Sequence, residues 1–267
     1  MKIIQIVDNF HCFEFIECEH KKVKLSNDIR IKMKKNKSLS LLFITAALIS
    51  SSTNANEWTG EGEFGFTSTS GNTDSQSLNA KLGVGKKYNK WSHNAKLELL
   101  QSSTEGVDSA DSRVFTEKSE YRFAEKTYVY GKLRHEEDEF SGFDHQSVIS
   151  FGAGHVFVED GMHYVEASVG IGFRDIEDDT GIEEQDAVVD AEFKYAYKIS
   201  ETSEFNQNFL VESGDTNTYS KSETFLKLVV VGNLGAKFGY EVKHNSDVPV
   251  GVEKTDKIST VTLVYSF

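Results

Sequence analysis

His145-Gln146-Ser147 is a short stretch of this chain with the parts for nucleophilic chemistry. On one extended strand His145 and Ser147 share a face, where an imidazole can take a proton from a hydroxyl, and Asp144 or Glu166 could serve as the acid. Against this, His-x-Ser is a short pattern in a serine-rich chain, and no residue stands in a convincing orienting position. The sequence therefore favours no enzymatic activity. The second group is carboxylate-rich. Glu136-Glu137-Asp138-Glu139 with Asp144, and Asp175, Glu177, Asp178, Asp179, Glu183, Glu184 and Asp186, crowd two segments. Ca²⁺ or Mg²⁺ would be the fitting ligand for such oxygens, with Glu136, Asp138, Asp178 and Asp179 the candidate metal residues. However, Asp175-x-Glu177-x-Asp179-Thr180-Gly181 puts its glycine one position off the calcium-loop pattern. A solvated, mutually repulsive acidic loop is the favoured reading. His93, His135, His155, His163 and His244 are scattered singly, as belt or loop histidines would be.

The third group is a set of charged rows, and its spacing exposes the frame that holds everything else. Lys81, Lys96, Glu98, Lys118, Glu120, Arg122, Lys132, Arg134, Glu166, Arg174, Asp190, Glu192, Lys194, Lys237, Glu241 and Lys243, together with Glu61 and Glu63, alternate with apolar residues at period two. Period two is the signature of a strand with one polar and one apolar face. The clearest case sets Val165, Ala167, Val169, Ile171 and Phe173 against Glu166, Ser168, Gly170, Gly172 and Arg174. Around Tyr128 to Arg134 the pattern is less clean, because Tyr128 and Tyr130 share a face with Lys132 and Arg134.

Twelve such strands follow from about Glu57 to the C-terminus, the last carrying Val261, Leu263, Tyr265 and Phe267 on one face. Even-numbered connections are short (89–90, 124–126, 159–161, 200–203, 232–235). Odd ones after the first are longer (102–111, 136–144, 175–186, 213–219, 245–256). Alternating short and long connections, an even strand count and an aromatic closing strand together predict an all-β, transmembrane, antiparallel up-and-down β-barrel. The competing architecture is a soluble antiparallel sandwich, which also alternates. Dense charge of mixed sign on the polar face and aromatics near strand ends count against it. In a barrel the charged rows point into the lumen, where they either line a small water-filled channel or fill it with salt bridges. Their mixed sign gives no cation or anion preference.

The first 55 residues read differently. Met33 to Lys37 is a basic head, Leu39 to Ile49 an apolar run, and Ser50 to Ala55 a small-residue tail. That order is a secretory signal peptide over 33–55, too short in its apolar part to span a bilayer as a helix. Residues 1–32 then read as an upstream mis-start with no fold of their own. Both cysteines, Cys12 and Cys18, lie in that prefix, so neither disulfides nor Cys-ligated metals enter the barrel of 56–267. The formal net charge of the chain is −13, and nine of its 29 basic but only five of its 42 acidic residues precede Asn56. So acidic a domain excludes nucleic acid as a partner. No cofactor is expected. The partners expected are outer-membrane lipid and lipopolysaccharide, the barrel-insertion machinery through the Phe267 strand, and divalent cations at the acidic loops.

Trp58-Thr59-Gly60, Phe64-Gly65, Ser70-Gly71-Asn72-Thr73-Asp74, Ser77-Leu78, Tyr88 and Trp91 carry a family resemblance. The chain is similar to the salt-induced outer-membrane protein family over essentially all of 56–267. The resemblance implies an outer-membrane location and a link to salt or osmotic stress, and it brings no catalytic residues. The function expected is a small passive channel or an envelope-integrity barrel. The alternatives are a lipid-modifying hydrolase using His145 and Ser147, since outer-membrane lipid hydrolases pair a His and a Ser two apart, and a surface receptor working through acidic loops.

Overall fold

The computed structural model describes residues 58–69, 75–178 and 180–267. The segments read from sequence as a prefix and a signal peptide, and residues 70–74, lie outside them. Twelve antiparallel strands follow in chain order: β1 (Trp58–Thr69), β2 (Ser75–Tyr88), β3 (Trp91–Thr104), β4 (Val107–Arg122), β5 (Thr127–Asp138), β6 (Phe143–Glu159), β7 (His163–Asp178), β8 (Glu183–Ser200), β9 (Ser203–Gly214), β10 (Thr218–Val231), β11 (Leu234–Asn245) and β12 (Thr255–Ser266). Each pairs with its sequence neighbours, and β12 returns to β1 to close the barrel. Closure joins the first strand to the last, which is how a sheet removes its edges in lipid.

The distribution of side chains is the reverse of a soluble sandwich. Phe173 is 77% and Ile171 72% exposed, whereas their neighbours Arg174 (1%), Asp190 (0%) and Glu212 (0%) are sealed inside. Such a surface is stable only where the solvent is itself apolar, so this is a membrane barrel. Aromatic pairs ring one end of the outer face: Trp91 lies 5.0 Å from Tyr121, and His163 stacks at 4.8 Å on Tyr197. We call this the lower end; it carries the connections 89–90, 123–126, 160–162, 201–202 and 232–233.

At the upper end the connections are shorter than the sequence suggests. Residues 105–106, 139–142, 179–182, 215–217 and 246–254 suffice, because the strands run on through the acidic segments, β8 for 18 residues. A tilted strand needs only about 9–11 residues to cross a bilayer. The excess projects beyond it with water on both faces, and acids on both faces erase the period-two signal.

The closing seam is short. Four residue pairs join β1 to β12, against twelve for β1–β2 and fifteen for β6–β7. Two backbone bonds extend it, Gly60 N–H to Phe267 O at 2.7 Å and Phe267 N–H to Gly60 O at 2.8 Å. The Phe267 ring lies directly on Gly60, in the space a Cβ would fill.

Candidate functional site

The lumen is bridged from wall to wall. Near its upper part, Lys243 on β11 reaches Glu136 on β5 at 2.6 Å, and these strands stand six places apart on the ring of twelve. One lysine and one glutamate span opposite walls, so the section is flattened there. Arg134 holds Glu136 at 2.5 Å and Glu212 at 2.5 Å, with its guanidinium 4.2 Å over the Tyr219 ring. In the middle, Lys132 meets Asp190 at 2.8 Å and Glu192 at 3.0 Å, and Lys118 meets Glu192 at 2.7 Å. A second cluster links Lys81 to Glu98 (2.9 Å), Glu223 (3.0 Å) and Glu241 (3.3 Å), with Lys221 at 3.3 Å from Glu98. Lys237 joins Glu63 at 2.9 Å, and Lys227 pairs with Glu61.

The two ends are tied off in the same way. At the upper mouth Arg174 donates to Asp186 at 2.8 Å and to the Asn217 carbonyl at 2.5 Å, drawing the 215–217 turn over the opening. Toward the lower end Glu166 accepts from Tyr128 at 2.8 Å, from Lys194 at 3.2 Å and from Tyr164. A cavity among Lys81, Glu98, Ser112, Lys221, Glu223 and Lys243 is about 30 Å³, room for a water or two. A wider vestibule of about 220 Å³ opens above it between Phe143, Ile176, Asn217 and Pro249.

All the charged residues assigned to the inner face by spacing lie on that face. Lys96 pairs there with Glu98 at 3.2 Å, Glu120 approaches Lys118 at 3.8 Å, and Arg122 closes the lower end on the Glu125 carbonyl at 3.4 Å. Others were missed. Tyr128 and Tyr130 blur the alternation of their strand, yet both are buried inside, and Tyr130 donates to Asp190 at 2.8 Å. Their shared parity with Lys132 and Arg134 was the available signal. Glu212, Tyr219, Lys221 and Glu223 could have been found in the same way on β9 and β10.

Two of the sequence-derived sites need correction. Ser147 pairs with His135 across the β5–β6 ladder, Oγ to Nδ1 at 2.8 Å, rather than with His145, whose Nε2 lies 3.2 Å from Asp175. The pairing recurs: His93 with Ser119 at 2.6 Å, His155 with Thr127 at 2.9 Å and His244 with Thr255 at 2.8 Å are all directly opposed cross-strand partners on the outer face. Four copies at both ends mark a structural device that satisfies polar side chains near the bilayer surface, not one nucleophile and base.

The metal residues also fall elsewhere. Glu136 is a lumenal ion-pair partner of Arg134 and Lys243, and Asp138 faces Lys243 at 3.7 Å. Asp178 folds the 179–182 turn, accepting from the Thr180 hydroxyl at 2.7 Å and from backbone N–H groups of Ile182 (2.8 Å) and Thr180 (2.9 Å). The Thr180 hydroxyl, followed by those amides, holds its carboxyl below the usual range. Asp179 lies outside the described residues. Carboxylates already committed to ammonium, guanidinium or amide partners make no cation cage.

A closed antiparallel ring with apolar residues outside and ion pairs within is a transmembrane β-barrel of the outer-membrane type. A family model described as "Protein of unknown function, DUF481" matches residues 62–267, and the chain belongs to that family. The uncharacterized protein YdiY of Escherichia coli (strain K12) is 25% identical over 208 residues, covering 76% of this chain and 80% of YdiY. Among solved structures, the COG4313 outer membrane channel from Pseudomonas putida F1 superposes with a TM-score of 0.50 at 11% identity, over 81% of this chain and 97% of that one. The NanC porin aligns with a TM-score of 0.46 at 10% identity, over 78% and 97% of the two chains.

Proposed function

We propose that this protein is a bacterial outer-membrane barrel that serves envelope integrity, with a lumen closed at rest by ion pairs instead of standing open as a pore. The observation that carries the reading is the Lys243–Glu136 bridge between opposite walls, backed by the Arg134–Glu212 and Lys132–Asp190 pairs beneath it. A buried ion pair is held by its own desolvated Coulomb energy, and removing one partner strands the other. Such struts resist casual opening.

A passive channel is the second reading. It is favoured by the continuity of charge along the inner face, which would pass small solutes if the struts parted. In either case the upper end faces outward, in contact with lipid and lipopolysaccharide, and the β12 strand ending in Phe267 engages the insertion machinery. The family resemblance attaches the barrel to salt or osmotic stress.

The test is solute leakage from proteoliposomes, paired with growth of a deletion strain in raised salt and in bile-type detergent. Tight vesicles and a strain sensitive to detergent or salt support the integrity reading. Fast leakage of sugars or amino acids with an unaffected strain supports the channel instead.

A further inference from the structure

On the outer face, above the apolar belt, His145 gathers three carboxylates. Its Nε2 lies 3.2 Å from Asp175 Oδ2, while Nδ1 faces Glu177 Oε2 at 3.5 Å and Asp144 Oδ2 at 3.9 Å. We propose that Asp144, His145 and Glu177 form a binding site for a divalent transition-metal ion of the zinc class, with Asp175 as the positioning residue. The inference stands apart from whatever the lumen does.

Three observations converge on it. The first is how the ligands come to meet. On a regular strand Asp144 and His145 would point to opposite faces. The β6–β7 ladder shifts register between Phe143 and His145, leaving Asp144 as the extra residue of a bulge. A bulge re-aims a side chain, and Asp144 joins His145 and its directly opposed partner Glu177.

The second is distance. Tetrahedral ligands at about 2.1 Å from a zinc ion stand about 3.4 Å from one another. The Nδ1–Glu177 and Nδ1–Asp144 separations of 3.5 and 3.9 Å are close to that value. All three ligand atoms lie within 4.8 Å of one another. Three protein ligands leave a fourth position for water.

The third is the tautomer. Gln185 donates to Asp175 Oδ1 at 2.7 Å, fixing that carboxylate against the imidazole. A carboxylate on Nε2 keeps the ring proton there and leaves the Nδ1 lone pair directed at Asp144 and Glu177, the arrangement of carboxylate–histidine–metal triads. The bare cluster is electrostatically unfavourable, since Glu177 also opposes Glu183 across the β7–β8 ladder. A bound dication relieves that repulsion. The competing occupant of the space is a second proton on His145, giving an imidazolium held by the same carboxylates.

The two are separated by titrating the tag-free, detergent-folded barrel with Zn²⁺ by calorimetry, and with Co²⁺ followed by its visible absorption. We expect one ion per chain and tetrahedral-type Co²⁺ bands. His145→Ala should abolish both. Asp144→Asn, on the exposed bulge, should weaken binding at least tenfold while leaving heat-modifiability intact. Asp175→Asn should weaken it about 10–100-fold without changing stoichiometry. Absence of Zn²⁺ uptake by the wild-type barrel would overturn the proposal in favour of the imidazolium. Uptake that survives His145→Ala unchanged would overturn it equally.

Discussion

Arg134 shows how a single lumenal side chain is constrained. Its guanidinium serves Glu136, Glu212 and the face of Tyr219 at once. Arg134→Met should destabilise the barrel by about 3–5 kcal/mol, because buried Glu212 would be left only with Lys132 at 3.4 Å, a cation already shared with Asp190 and Glu192. Adding Glu212→Gln should restore much of the loss, and urea unfolding of the two variants in lipid measures the difference. At the lower end Asp160 caps its turn by accepting from the backbone N–H of His163 at 2.6 Å and of Met162 at 3.0 Å. The His163 amide, then that of Met162, lowers its pKa. A depressed carboxyl contributes stability that is present above its unfolded pKa and lost as pH falls through the folded one. The Asp160 carboxyl should therefore titrate below the ordinary aspartate value by NMR, with the turn loosening only under that acidity. A midpoint at or above the ordinary value would contradict the cap.

Strands were the most legible level of this protein. Where one face meets lipid and the other the lumen, as on β7, alternation is nearly free of exceptions, and the element can be read residue by residue. Legibility failed wherever both faces share a solvent. Glu183, Glu184 and Asp186 looked like loop because the upper part of β8 stands in water on both sides. Tyr128 and Tyr130 made β5 less clean for another reason: a tyrosine is apolar in composition, but its hydroxyl suits a charged interior. The members of the His145 cluster were legible singly but not as a cluster, since its assembly depends on a one-residue register shift that spacing does not announce. The seam, by contrast, makes an element-scale prediction. With four ladder pairs between β1 and β12, amides of Gly62 and Phe64 should exchange with deuterium well before those of β6 and β7. Gly60→Val should push the Phe267 ring off its seat and lower the yield of heat-modifiable barrel. Equal exchange across all strands would show that closure is not the weak point.

At the scale of the whole molecule, the same residues that make the interior hydrophilic also bridge it from wall to wall. Twelve strands leave more interior than a filled eight-stranded barrel and less than a porin. This sequence uses that space for lysine–glutamate struts. The account's central claim is that the struts, and not the strand count, set permeability. Planar-bilayer recording of the wild-type barrel beside a Glu136→Ala/Lys243→Ala variant tests it most directly. The account predicts a silent wild type at ordinary voltages and discrete ion-conducting steps once the bridge between opposite walls is gone. A steady open level in the wild type, unchanged in the variant, would contradict it.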